Sequence, residues 1–136
     1  MERFFMSDPA SDYRNWISKA EEDWLAIRNN ITAAETPWAV VCFHAQQAAE
    51  KYLKAFLVHR GYQPEKIHAL DRLLVECLAF DQNLNGLKED CMQLTDHAVD
   101  SRYPDTLVKD EERIAREAVA MAERICDAIR QRLSKP

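Results

Sequence analysis

The chain has 136 residues, 47% apolar and 30% charged, with a formal charge of −5. That length suits one domain with one modest core, and two glycines are too few for the turns of an all-β fold. The acidic balance disfavours broad, non-specific nucleic-acid binding, which leans on Lys and Arg, but leaves room for a small local RNA site.

The opening MERFFMSDPASD has a short aromatic patch and no long hydrophobic region. It reads as a flexible extension over residues 1–8 with no signal peptide, and Met6 is an alternative start. A single domain is expected over 9–133. Tyr13, Ile17, Ala20, Trp24, Ile27 and Ile31 repeat at steps of four and three, which predicts a first helix over roughly 9–31. Its other face, Arg14, Lys19, Glu21, Glu22 and Arg28, reads as solvated. Residues 33–36 turn the chain.

The strongest helix signal follows, PWAVVCFHAQQAAEKYLKAFLVHRGY, from Pro37 to Tyr62. Thr36 is the expected N-cap and Pro37 the first helical residue. Gly61 sits where a left-handed residue ends a helix. One apolar row is Trp38, Val41, Ala45, Ala48, Tyr52 and Ala55; a second is Cys42, Ala49, Leu53 and Phe56. Together they exceed the roughly 100° stripe of a surface helix, so this helix belongs at the centre of a bundle.

Ile67, Leu70, Leu74 and Cys77 predict a short third helix ending near Phe80, and residues 81–83 a turn. Leu84, Leu87, Cys91, Leu94 and Ala98 predict a fourth helix. Pro104 disfavours helix at Tyr103, so Ser101–Asp105 is expected to be an ordered loop. Asp110 is the expected cap of a last helix whose core face is Ile114, Ala118, Met121, Ile125, Ile129 and Leu133. The connections are short, so the fold class is all-α, an up-and-down antiparallel bundle of four to five helices. Cys42, Cys77, Cys91 and Cys126 lack C-x-x-C spacing and read as buried thiols of a reducing cytosol. No apolar run approaches the ~20 residues of a membrane span. A cytoplasmic protein without membrane contact, cofactor or metal site is expected.

The run FHAQQAAEKYLKAFLVHRGY, then IHALDRLL, then SRYPD, resembles a HEPN domain from about Tyr13 to about Leu133. These small all-α domains are mostly prokaryotic and often encoded beside a minimal nucleotidyltransferase. The resemblance implies a homodimer and a toxin–antitoxin-like pair. Many members are metal-independent RNases marked by an Arg, four to six residues, then a His. There Arg steadies a phosphate and His moves the proton of the attacking hydroxyl. This sequence departs from that pattern. Arg102 has no later His, Arg60 and His68 have seven residues between them, and His97 precedes Arg102. What the resemblance then implies is a non-catalytic nucleotide-binding and interaction module. The alternative is an RNase with a drifted His97 and Arg102 site, brought together by a bend at residues 99–101.

The candidate ligand residues follow. Arg102 is suited to grip a phosphate, Tyr103 to stack on a base, and Asp105 completes the turn; the structural alternative is that Arg102 and Asp105 pair with bundle residues while Tyr103 and Pro104 plug the bundle end. On the central helix, His44, Gln47, Lys51 and Lys54 form a polar stripe, with Gln47 and Lys51 facing a nucleotide or the Arg102 loop. The plain alternative is a solvated face with a Glu50–Lys54 pair. His68 reads as a helix-start histidine bonded to backbone, and His59 as exposed. Trp16, Trp24 and Trp38 are large for so small a core, and one of them is expected at an interface.

Overall fold

The second helix organises the molecule. The computed structural model describes residues 8–100 and 108–134, and five α-helices lie among them: α1 Tyr13–Ile31, α2 Trp38–His59, α3 Leu70–Leu78, α4 Lys88–Asp100 and α5 Val108–Leu133. They form an all-α, up-and-down antiparallel bundle. α2 packs against each of the other four helices. Both of its apolar rows are buried, Trp38 partly so. Ala45, Ala48, Ala49 and Ala55 are fully enclosed, because small side chains let neighbouring backbones approach. One core joins α2 to Ala20, Trp24 and Ile27 of α1, to Leu70, Leu73, Leu74 and Cys77 of α3, and to Cys91 and Leu94 of α4. Ala118, Ile125 and Ile129 complete it from α5.

Several boundaries differ from the sequence expectation, each for a local reason. α1 starts at Tyr13, not near residue 9, because Asp12 is extended and its carboxylate caps the Arg14 amide at 2.9 Å. Pro9–Ser11 is a separate 3-10 turn capped by Asp8. The Trp16 indole donates to the Ala10 carbonyl at 2.9 Å and folds that turn onto α1.

Thr36 does not cap α2. Its hydroxyl turns back to the Ile31 carbonyl at 3.4 Å, and Pro37 takes the cap position with no side-chain hydrogen bond. The other end is as expected. Gly61 has φ +81°, and the Tyr62 and Gly61 amides donate to the Leu57 and Val58 carbonyls at 2.9 Å, the paired bonds of a Schellman motif.

α3 begins at Leu70, leaving Ile67 outside it, and its first amide reaches the Thr95 hydroxyl on α4 at 3.4 Å. Gln82–Leu87 is a 3-10 segment capped by Asp81, so α4 starts at Lys88 and not at Leu84. α4 runs two residues past Ala98, to Asp100, so no bend falls at 99–100. α5 begins at Val108, which puts the expected cap Asp110 inside its first turn. Arg124 clamps Asp90 with two bonds of 2.8 Å, and Arg132 holds Asp81 at 2.6 Å; both tie α5 to the α3–α4 side.

All four cysteines are buried free thiols, and burial pushes Cys77, Cys91 and Cys126 up to about 12. Trp24 is buried, and Arg116 covers the half-buried Trp38 ring at 4.9 Å. His59 is not exposed as expected: it is half-buried, with the Tyr13 ring edge-on at 4.8 Å. Among the described residues no helix is long and apolar enough to cross a membrane.

Candidate functional site

The polar residues of α2 do not act as one stripe. Neighbouring elements divide them into three groups. On the α1 side, Asp23 collects His44 and Lys51. Asp23 is 6% exposed, and its carboxylate accepts from His44 Nδ1 at 2.8 Å and from Lys51 Nζ at 2.6 Å. Two of the expected ligand residues thus meet on a buried acid that the sequence reading did not single out. The signal was there: Asp23 follows Ala20 by three and precedes Ile27 by four, which puts it on the edge of the α1 apolar stripe.

The second group is Glu50 and Lys54. They pair at 3.0 Å as helical spacing predicts, but they are not solvated: their side chains are 5% and 7% exposed. Trp16 covers the ammonium at 5.4 Å to its ring centroid. His68 is exposed, and its Nδ1 reaches Glu50 at 3.2 Å, a carboxylate and not the backbone partner expected of it.

The third group opens a cleft where α2 meets the start of α3 and the end of α4. Phe43, Gln46, Gln47, His68, Thr95 and Val99 line it, with a volume of about 460 Å³. Gln46 is buried and donates to the His68 carbonyl at 3.0 Å; Gln47 donates to the Gln46 carbonyl oxygen at 3.0 Å. The Phe43 ring is substantially exposed and lies against His44 at 5.4 Å. Gln47 therefore faces the cleft, while His44 and Lys51 serve the α1–α2 junction.

Arg102, Tyr103 and Asp105 lie outside the described residues, as does the rest of 101–107. His97 donates to Glu117 on α5 at 3.0 Å, and Arg113 joins the same carboxylate at 3.2 Å. The His97 hydrogen bond, aided by Arg113, holds Glu117 below its ordinary value. The imidazole is thus tied by one nitrogen to an α5 carboxylate.

A larger groove, about 540 Å³, runs between α1 and α5. Three carboxylates, Glu21, Glu123 and Asp127, face it against Arg28 and Arg130. Arg130 is already bound to Asp127 at 2.5 Å and to Glu21 at 3.2 Å, so this groove is a poor seat for an anion. Glu21 is not simply solvated. It accepts from the buried Tyr52 hydroxyl at 2.5 Å, and Arg130 donates to that hydroxyl at 3.0 Å. Burial works to raise the Glu21 pKa, but donation from Tyr52 and Arg130 outweighs it and holds the carboxyl below its ordinary value. A depressed acid stabilises the fold fully above its unfolded value and loses that contribution as pH falls through the folded one. Glu21→Gln is expected to lower the melting temperature by roughly 3 °C at pH 7, with the gap to wild type closing as pH falls below the ordinary carboxylate range. Melting curves from pH 7 to pH 3 check this; a gap that stays constant in acid would show that the Glu21 charge contributes nothing. Asp81 and Glu117 are depressed in the same direction, so the difference between the two proteins isolates Glu21.

No group of three or more His, Cys, Asp or Glu side chains among the described residues is placed to hold a metal ion. The fold and cleft define a small helical-bundle domain built around one central, polar-striped helix. The chain belongs to the HEPN domain family, whose model matches residues 13–132. Neither a curated protein nor a solved structure matches it.

Proposed function

We propose that this HEPN domain is a non-catalytic nucleotide-binding and interaction module, acting as a homodimer beside a minimal nucleotidyltransferase in a toxin–antitoxin-like pair. The observation that carries the nucleotide part is the cleft at Phe43, Gln46, Gln47 and Thr95. Its 460 Å³ falls within the range of small-molecule sites, and it combines apolar walls with a few convergent amides. Arg102 comes two positions after α4, the helix that forms one wall, and supplies the cation for a phosphate in this reading. Tyr103 and Asp105 accompany it. In the nuclease alternative only Nδ1 of His97 is left to move a proton, since Nε2 is bound to Glu117.

The test is binding of ATP, AMP and a short single-stranded RNA to the purified protein, with Arg102→Ala beside it. Cleavage is scored in the same tubes without metal. Arg102→Ala is expected to weaken nucleotide binding about 10- to 100-fold, the worth of a charge-assisted phosphate contact, with the RNA intact. RNA cleavage that disappears in Arg102→Ala and His97→Ala would replace this reading with the nuclease. If no nucleotide binds, the cleft is not a nucleotide site.

A further inference from the structure

We propose that the cleft reads an adenine base through the Gln47 amide, which Gln46 and the His68 backbone carbonyl hold in one orientation; this rests on the nucleotide-binding reading above. The orientation follows from donor and acceptor chemistry. A backbone carbonyl only accepts, so Gln46 must turn its NH₂ toward His68, at 3.0 Å. Its carbonyl oxygen then faces Gln47 and accepts from Nε2 at 3.0 Å. Gln46 is 8% exposed, which leaves its amide little freedom to flip. Gln47 is therefore fixed as well: Nε2 lies toward Gln46, and Oε1 with one remaining N–H is left for the cleft that Gln47 lines.

One acceptor beside one donor complements a base edge that offers one donor beside one acceptor. Adenine has such an edge in its 6-amino group with N7 or N1. The rest of the lining selects against the pyrimidine bases. The Thr95 hydroxyl has no donor left, since its proton goes to the Cys91 carbonyl at 3.0 Å while it accepts from the Leu70 amide at 3.4 Å. Cytosine and uracil each carry a further carbonyl acceptor, O2, on their pairing edge, and Thr95 has no proton left to satisfy it. Enclosing an unpaired polar group opposes binding. The wider purine ring also covers more of Phe43, whose exposed side chain offers a stacking surface. Asp23 steadies that surface indirectly, since it anchors the His44 ring packed against Phe43. The base can belong to a free nucleotide or to single-stranded RNA, because the recognised chemistry is the same.

Calorimetric titrations of the full chain test the inference. The ligands are AMP, its analogue lacking the 6-amino group, GMP, UMP, and six-residue oligomers of A and of U. AMP is expected to bind about 5- to 150-fold tighter than the desamino analogue. Gln47→Met should abolish that preference while leaving residual binding through the stack. Gln46→Met should shrink it by releasing the Gln47 amide from its fixed orientation, and a melting curve for each variant confirms that it is folded. Tight binding of the A oligomer alone assigns the site to RNA; AMP binding of equal strength assigns it to a free nucleotide. If AMP, GMP and UMP bind equally, or Gln47→Met leaves the preference intact, base reading by Gln47 is wrong though the nucleotide module stands. If no nucleotide or oligomer binds the wild-type chain, both readings fall.

Discussion

Glu50→Ala is expected to destabilise the protein by about 3–5 kcal/mol, the largest single loss outside the apolar core. The reason lies in what remains. Lys54 is 7% exposed, and Glu50 is its ion-pair partner. Without that carboxylate the ammonium sits under Trp16 with no counter-charge, and Glu50's contact with His68 goes too. For a chain of this length the loss is a fall of roughly 10–15 °C in melting temperature. Replacing both partners, Glu50→Leu with Lys54→Met, removes the charge problem and should restore most of the loss, since a well-packed apolar pair often does as well as a buried ion pair. Urea melts of the three proteins decide the matter. A single mutant within about 1 kcal/mol of wild type would mean that Lys54 escapes to water and the pair is not enclosed.

The second large effect is expected at Asp23. Asp23→Ala should cost about 2–3 kcal/mol, because two charge-assisted hydrogen bonds between α1 and α2 vanish together. The cost is smaller than at Glu50 because the orphaned groups have an exit: the His44 and Lys51 side chains are 27% and 23% exposed. Asp23→Asn keeps one acceptor and should lose about half as much. Denaturation midpoints at constant slope give these values. The double mutant Asp23→Ala, Lys51→Ala separates the Lys51 contribution by a thermodynamic cycle. Single losses that simply add would show that the 2.6 Å contact is energetically idle.

The central helix was legible because its burial is periodic. Two rows at steps of three and four over residues 38–56 have no other economical explanation, and the C-terminal glycine completes the pattern. The partners of its polar residues were not legible in the same way. His44 and Lys51 find Asp23, 21 and 28 residues away, and only three-dimensional packing picks that acid from the neighbouring Glu21 and Glu22. Gln46 is held by a backbone carbonyl, which carries no residue signature at all. Spacing also misled at Leu84 and Leu87. Three residues make a full turn of 3-10 helix and nearly a turn of α-helix, so an i, i+3 pair fits both. The Thr36 error was one of competition: its hydroxyl had a carbonyl of the preceding helix within reach. Of the candidate ligand residues, Gln47 lies in the cleft, His44 and Lys51 lie beside it on Asp23, and Arg102, Tyr103 and Asp105 lie outside the described residues.

The contact of α2 with each of its four neighbours also governs how the molecule comes apart. α1 can lift while α3, α4 and α5 still shield the opposite flank, and α3 with α4 can lift while α1 and α5 remain. Neither opening frees the middle of α2, where Ala48, Ala49, Leu53 and Phe56 are fully enclosed. Amide protons there can meet solvent only when the whole bundle opens. The exchange rate at the centre of α2 is therefore an internal gauge of global unfolding, and exchange elsewhere, referred to it, ranks the partial openings of the other helices.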